Sequence, residues 1–586
     1  MQANQRFKMT EAIIQNPAEQ AGEEALNKVY GCIDDRKNFI LEAGAGAGKT
    51  YSLIYSLSYL IKKEGIALLR RNQKIACITF TNIAKDQIDT RTDRHPVIYS
   101  DTIHGFCWSL IRGFQDDLRH ELPSIGKWPE KLVDIEIGKR EIVYDLGYPS
   151  IGEDSIELYH DDVLDLMVLL LAKLKFRKLI TDHYPILFID EYQDTYQKFA
   201  EALKVNFLDL GEGPLIGFFG DHWQKIYGNG CGKIEHPCLI HIDKNSNFRS
   251  VSTIVNVLNQ MRPELPQNVK DPNATGMAVV YHTNAWVGTR RNESHWKDDL
   301  PSDIAHTYLN KLKEELTSKG WDFSPQNTKI LMLTHNILAD EQGYRNFANV
   351  FDHNETFIKK EDKHVAFFVD VLEPLCSAYE NKKYGEMFAL LGSGKPGINS
   401  PADKSEWIRN MNELIGLRND QSIGRVIAFL REKKRPRIPD AVERKELDFE
   451  EFVLNPDVDE PSSITRLRKM KEVPYKEVIA FAQFSNEHTP FATKHSVKGA
   501  EFENVLVVIG RGWNQYNFGQ MLEWAGSRIP PGKDETFQRS RNLFYVVCSR
   551  PKKRLALLFT QKLSATALAV LSEWFGAAMV YSLTTS

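Results

Sequence analysis

The 586-residue chain has no CxxC pair; its seven cysteines, Cys32, Cys77, Cys107, Cys231, Cys238, Cys376 and Cys548, are scattered along it. That pattern argues against a disulfide framework and fits reduced thiols. No apolar run reaches spanning length, and the most apolar tail, Ala567 to Val580, is interrupted by Glu573. An apolar signal-peptide segment is also missing, so the cytoplasm is the expected location and a membrane is not an expected partner. There is no excess of positive charge: 74 Lys and Arg stand against 78 Asp and Glu, for a net −4. This excludes a protein that coats nucleic acid by charge alone, but not one that grips a strand in a local groove. Repeats of fixed period are absent.

What is present is a soluble globular composition, 42% hydrophobic and 26% charged, over a length that implies several domains. Short apolar runs recur at Asn38–Glu42, Lys74–Thr79, Ile186–Ile189, Leu215–Phe219, Lys329–Leu333 and Val505–Ile509. Separated by helical stretches, they read as buried parallel strands of an α/β architecture. They form an early and a late cluster. Residues 1–106 and 182–272 make a first domain around a mostly helical insertion at 107–181. Residues 273–341 and 488–586 make a second around an insertion at 342–487. The second insertion holds a basic passage, Arg431 to Arg437, then acidic residues from Glu443 to Glu460. A solvated face is the favoured reading, with nucleic-acid contact by the basic half as the alternative. Cys231, His236, Cys238 and His241 are metal-ligand types, but their spacing matches no common zinc pattern.

After the first strand comes Ala43-Gly44-Ala45-Gly46-Ala47-Gly48-Lys49-Thr50, then a helical run from Tyr51. Strand, Gly-rich turn and helix in that order is the context of a phosphate-binding loop, even with Ala43 where the first glycine usually stands. Small residues let backbone N–H groups close on a phosphate, aided by the helix N-terminus. Lys49 would reach the β- and γ-phosphates of ATP, and the Thr50 hydroxyl would bind Mg²⁺. The run Pro185 to Asp190 is an apolar strand ending in the pair Asp190-Glu191. Asp190 suits holding the metal, and Glu191 aligning or deprotonating the attacking water.

Asp190-Glu-Tyr-Gln-Asp-Thr195 resembles motif II of UvrD/Rep-type superfamily 1 helicases, and the family's other motifs follow in order. Thr79-Phe-Thr-Asn82 is similar to motif Ia and Thr102-Ile-His-Gly-Phe106 to the next strand-contacting motif. Gly220 to Gly228 is similar to motif III, Asn247-Phe-Arg-Ser250 to motif IV, Thr493 to Phe502 to motif V, and Arg541 to Arg550 to motif VI. The matches run from Ala43 to Leu555, nearly the whole chain.

The resemblance implies two RecA-like P-loop motor domains, each a parallel sheet flanked by helices, with mostly helical insertions and ATP between them. It gives Gln224, Arg249 and Arg550 catalytic roles, the two arginines as fingers on the γ-phosphoryl group. Such fingers raise rates by about 10³–10⁵. It places Tyr51, Phe248, Gly499 and Glu501 at the nucleotide, with Phe248 stacking on adenine, Glu501 on the ribose and Gln20 as the candidate base reader. Phe80, Thr81, Asn82, His104, Phe106, Tyr227 and His495 take strand-contacting positions, although Phe80 and Phe106 read equally well as core residues. After Tyr227-Gly228 the family's aromatic and arginine are replaced by Asn229 and Gly230. The implied activity is an ATP-dependent DNA helicase or translocase moving 3′→5′ on single-stranded DNA or a junction, in repair or antiphage defence. A nucleic-acid-stimulated regulatory ATPase gating a partner nuclease in trans is the alternative. Trp513, Tyr516, Phe518 and Trp524 fall where relatives carry a strand-separating hairpin, and read equally as packing residues. The compact length looks similar to UvrD-like subunits of antiphage systems such as Gabija.

Overall fold

The computed structural model describes residues 16–144, 149–226, 228–292, 296–332, 342–351, 357, 360, 362–391, 400–454, 460–485, 491–492, 500–510 and 516–584. Two compact units emerge. The first comprises Met1–Val280, Gln515–Ala556 and Leu563–Tyr581, the second Tyr281–Asn514, Leu557–Lys562 and Ser582–Ser586.

The first unit is built on β1 (Phe39–Ala43), β2 (Ile75–Thr79), β3 (Ile98–Thr102), β7 (Ile186–Asp190), β8 (Leu215–Gly220) and β9 (Ile240–Lys244), in the order β3-β2-β7-β8-β1-β9. Every pairing is parallel. Strands β1, β2, β7 and β8 are buried along their whole length, which is why they read as unbroken apolar runs. Their side chains alternate between two cores. Phe39, Leu41, Ile75, Cys77, Ile186 and Phe188 face one, while Ile40, Ala76, Ile78, Leu187 and Ile189 face the other. The first core is covered by helices α1 (Pro17–Asp34), α2 (Lys49–Arg70) and α3 (Asn82–Arg91). The second is covered by α4 (Ile103–Ile111) and the helix His160–Leu171. Gly217 is a point of close packing, since a Cβ there would lie 2.5 Å from the Phe39 ring and 2.8 Å from that of Phe188.

Between α4 and β7 the chain is helical apart from a small sheet, β4 (Glu141–Tyr144), β5 (Ser150–Ile151) and β6 (Ser155–Leu158), in the order β4-β6-β5. Two short strands, β10 (Ser246–Asn247) and β11 (Asn268–Val269), pair in parallel beside the phosphate loop.

The other six-stranded sheet contains β12 (Met277–His282), β13 (Thr328–Met332), β14 (Phe491–Ala492), β15 (Phe502–Ile509), β16 (Pro551–Phe559) and β17 (Val580–Ser582). Its order is β14-β13-β15-β16-β12-β17. In the second unit β13 pairs in parallel with β14 and with β15. The helices from Arg345 to Ser485 carry the charged passage, and the structure neutralises it. Arg431 reaches both Glu443 (2.9 Å) and Glu450, Arg435 reaches Glu406 (2.8 Å) and Arg437 reaches Asp440 (2.7 Å). The basic half is thus an ion-paired surface. Among the described residues no helix is long and apolar enough to cross a membrane.

Candidate functional site

All the functional loops of the first unit leave the carboxyl ends of its strands, where ligands bind in open parallel sheets. The loop after β1 turns through Gly46 (φ +75°) and Gly48 (φ +73°), both left-handed. At Gly46 a Cβ would stand 2.8 Å from Cβ of Arg249; at Gly44 it would stand 2.7 Å from the Gln267 amide nitrogen. The loop's carbonyls are taken up from behind. Asn247 and Gln267 donate to Ala45 O (3.0 and 3.1 Å), Phe248 N to Gly46 O (2.9 Å), Ser246 to Ala47 O (3.3 Å) and Lys244 to Gly48 O (3.0 Å). With its acceptors engaged, the loop presents N–H groups and the start of the 22-residue α2, the chemistry of a phosphate site.

Lys49, the first residue of α2, extends to Glu191 (3.2 Å). Glu191 follows β7 in the left-handed region (φ 47°, ψ 45°), a conformation that costs a non-glycine residue energy and turns its carboxylate toward the loop. Gln193 donates to the same carboxylate oxygen (2.5 Å), and its own carbonyl oxygen accepts from Asp221 N (3.0 Å). Asp190 is buried at the end of β7, and Thr50 is the second residue of α2. A carboxylate and a hydroxyl are hard oxygen donors of the kind Mg²⁺ takes, so these residues fit the metal the sequence implied.

The next layer comes from the turn after β8 and from the residues just past the helix Asp534–Cys548. Gln224 donates to Asp221 (2.7 Å) and accepts from Arg550 (3.3 Å). Arg550 is 1% exposed, and it also donates to Val546 O (2.9 Å) and to the Ser549 hydroxyl (2.9 Å). Arg249 donates to Ser549 O (3.1 Å). Burial pushes the Arg550 guanidinium down to about 9, and neighbouring Arg249 pushes the same way, while Glu191 opposes both. The group stays cationic at neutral pH. Lys49, Glu191, Gln224, Arg249 and Arg550 therefore form one cluster within the first unit.

Behind it lies a buried ionic network. Arg262, 2% exposed, donates to Asp221 (2.6 Å) and to Glu42 (3.0 Å). Glu42 also accepts from Tyr192 (2.5 Å) and from His222 N (3.0 Å), and its Oε1 lies 2.7 Å from His222 Nδ1. Burial pushes the Glu42 carboxyl up, but His222, Tyr192 and Arg262 outweigh it and bring it to about 2. Glu42, Asp221 and His222 are a group of metal-ligand type among the described residues. The guanidinium already between the two carboxylates makes this an ion-pair network. Cys231 instead donates to Tyr192 O (3.0 Å), and His236 meets Asp209 (2.8 Å).

The remaining sequence candidates divide. Phe248 is 39% exposed, and Tyr51 is 49% exposed and stacked on Tyr55 (4.1 Å). The Lys244 ammonium lies 5.8 Å from both the Phe248 and Tyr51 rings, so these three gather beside the phosphate loop. Gln20 is exposed on α1 with its amide on Glu24 (3.3 Å). Phe80 (38% exposed), Thr81 and Asn82 form an exposed run at the end of β2, with Thr81 capping α3. Phe106 is a correction: 1% exposed between Tyr99 and Tyr184, it is a core ring and offers no face to a strand. His104 is partly buried against His160, which together with burial lowers it to about 4. Glu501 is exposed in the second unit. Tyr227, His495, Gly499 and Trp513 lie outside the described residues. Tyr516 and Phe518 are buried, as packing residues.

Comparison with known proteins agrees with this geometry. Residues 29–229 match a family model described as an AAA domain. The chain is 26% identical to Gabija protein GajB of Bacillus cereus strain HuB5-5, over 92% of this chain and 95% of that protein. It is 22% identical to the ATP-dependent DNA helicase PcrA of Staphylococcus aureus, over 44% of this chain and 42% of that protein. A second GajB, from B. cereus strain VD045, is 27% identical over 41% of this chain and half of its own length.

The chain is similar to UvrD/Rep-type helicases.

For this UvrD/Rep-like chain the motifs pointed to Lys49, Asp190, Glu191, Gln224, Arg249 and Arg550, but not to what supports them. Glu42, Lys244, Arg262 and Gln267 carry no motif signal. Their only mark in the sequence is a polar residue at the end of an apolar run or helix, which a solvated surface shows equally.

Proposed function

We propose that this chain is an ATP-driven motor of the Gabija antiphage type that translocates 3′→5′ on single-stranded DNA and works with a partner nuclease supplied in trans. The observation that carries the reading is the cluster of Lys49, Glu191, Gln224, Arg249 and Arg550 around the phosphate loop. In it Lys49 takes the β- and γ-phosphates, while Thr50 and Asp190 hold Mg²⁺, which supplies charge neutralisation on the phosphates. Two guanidiniums answer the charge spread over the γ-phosphoryl oxygens. Phe248 and Tyr51 flank the base, and Phe80, Thr81 and Asn82 meet the strand. The Lys49–Glu191 contact gives the cycle an order. Phosphate entry draws Lys49 away, and the freed Glu191 carboxylate then orients the attacking water.

A second reading, an ATPase stimulated by nucleic acid that gates its partner with little unwinding, has one observation in its favour. Where the family carries a stacking platform, this chain is laced onto motif II. Asn229 O accepts from Gln197 N (3.0 Å), Cys231 N donates to Thr195 O (2.8 Å), and a Cβ at Gly230 would fall 2.4 Å from Gln193 O. ATP turnover with and without single-stranded DNA, beside a strand-displacement assay, tests both. Stimulation with unwinding supports the motor, and stimulation without unwinding the gate. A Glu191→Gln chain that hydrolyses ATP as fast as the unaltered one overturns either.

A further inference from the structure

The polarity of the Gln224 amide is set by its two neighbours. A carboxylate only accepts hydrogen bonds and a guanidinium only donates them. With Asp221 on one side (2.7 Å) and Arg550 on the other (3.3 Å), the amide must turn its NH₂ to Asp221 and its oxygen to Arg550. Asp221 is itself fully buried, and three further groups fix its place. Arg262 donates to its Oδ1 (2.6 Å), Trp223 N donates to the same oxygen (3.0 Å), and its own N–H reaches the Gln193 side chain (3.0 Å). Arg262 in turn is held by Glu42, which lies one residue before Ala43 and the phosphate loop. The Arg262 guanidinium also lies 5.2 Å from the Trp223 ring and 5.9 Å from that of Tyr545, on the helix Asp534–Cys548 that ends two residues before Arg550.

We propose that Arg262 and Asp221 are positioning residues for ATP hydrolysis, a buried relay that locks the Gln224 amide with its oxygen toward Arg550 and so presents that arginine to the γ-phosphate. The inference rests on the ATPase reading above. Neither relay residue touches the nucleotide. Arg262 keeps Asp221 in place, Asp221 keeps the Gln224 NH₂, and the Gln224 oxygen keeps the finger. The relay joins the strand end that feeds the phosphate loop to the end of the helix that leads to the finger, and it does so entirely inside the first unit.

The test is a double-mutant cycle on ATP turnover by the full chain with single-stranded DNA. Asp221→Asn is isosteric but offers an NH₂, which lets the Gln224 amide reverse and face Arg550 with a donor. The expected result is a fall in kcat of about 10–100-fold, the range of one charge-assisted hydrogen bond, with KM for ATP within about twofold. On a Gln224→Ala background the same substitution should change kcat by less than about twofold, because the output of the relay is already gone. A purely structural role would give the same loss on both backgrounds, and that additive outcome overturns the proposal. So does a Gln224→Ala chain with unaltered kcat. Should Asp221→Asn fail to fold, Arg262→Lys, which keeps a cation on Asp221 but loses the fork to Glu42, takes its place in the cycle. An unaltered chain that hydrolyses no ATP sinks the ATPase reading instead, so the two failures are distinct.

Discussion

Alanine at Gly46 should injure the nucleotide-free protein far more than alanine at Gly48, although both glycines sit in the same loop with nearly the same φ (+75° and +73°). The left-handed backbone costs either alanine roughly 1–2 kcal/mol. The surroundings then separate them. A Cβ at Gly48 meets Phe248, Lys244 and Tyr51 at 3.5–3.7 Å, ordinary contact distances. At Gly46 it meets Arg249 Cβ at 2.8 Å and the Asn247 amide at 3.0 and 3.1 Å. Neither neighbour can retreat freely. The Asn247 oxygen holds Arg249 N (3.0 Å) and Ser250 N (2.9 Å), and its nitrogen holds Ala45 O (3.0 Å). Overpacking of this kind adds about 1–3 kcal/mol, so Gly46→Ala should cost about 2–5 kcal/mol in total. Thermal unfolding of the nucleotide-free chains measures the difference, and ATP turnover should fall with it because Arg249 is displaced. A Gly48→Ala chain that melts at or below the Gly46→Ala chain would refute the packing argument.

Glu191→Gln should lower ATP turnover by about 10²–10⁴-fold, the usual worth of a general base, while leaving nucleotide binding intact, since Lys49 loses a competitor for the phosphates. Rapid-quench turnover beside equilibrium nucleotide binding separates the two effects. Arg550→Lys should fail to restore what Arg550→Ala loses, because the fork contacts Val546 O, Ser549 and Gln224 at once; steady-state kcat decides it. Glu42 titrates near 2, below its ordinary range, so its contribution is present above about pH 4.5 and is lost as pH falls toward 2. The stability gap between the unaltered chain and Glu42→Gln should therefore shrink across that window in acid-unfolding curves, and a constant gap would contradict the assignment. Phe80→Ala should weaken single-stranded DNA binding by about 5–150-fold, one base stack, whereas Arg435→Ala should change it less than about twofold. Arg435 is already paired with Glu406, and a filter-binding titration at fixed salt compares the two.

The first unit's strands and its phosphate loop were legible because they obey local rules. Fully buried parallel strands are continuous apolar runs, and a phosphate loop needs small residues between a strand and a helix. The runs at Asn38–Glu42, Lys74–Thr79, Ile186–Ile189 and Leu215–Phe219 each match a strand of the sheet to within one residue at either end. The small sheet β4–β6 inside the 107–181 segment was not legible, since Glu141–Tyr144 and Ser155–Leu158 are strands of only four residues, too short for a pattern to stand out. Phe106 shows the limit for sites. A phenylalanine one turn into an amphipathic helix has the same sequence whether it faces a strand of DNA or the core, and only Tyr99 and Tyr184 closing around it decide.

The charged residues show that limit most sharply. From sequence, Arg262 is one arginine near the end of a helix and Glu42 one glutamate closing a strand, 220 residues apart. Each alone reads as solvated, because burying a single charge is costly. Only the fold that brings β1, β8 and the helix Ser252–Met261 together makes burial affordable, by letting one guanidinium serve two carboxylates. Breaking such a group leaves an uncompensated charge in the interior, so its members hold one another in place more strictly than apolar packing would. In the proposed mechanism that strictness is what a finger arginine needs from its support, and the buried ions behind Gln224 are placed to give it to Arg550.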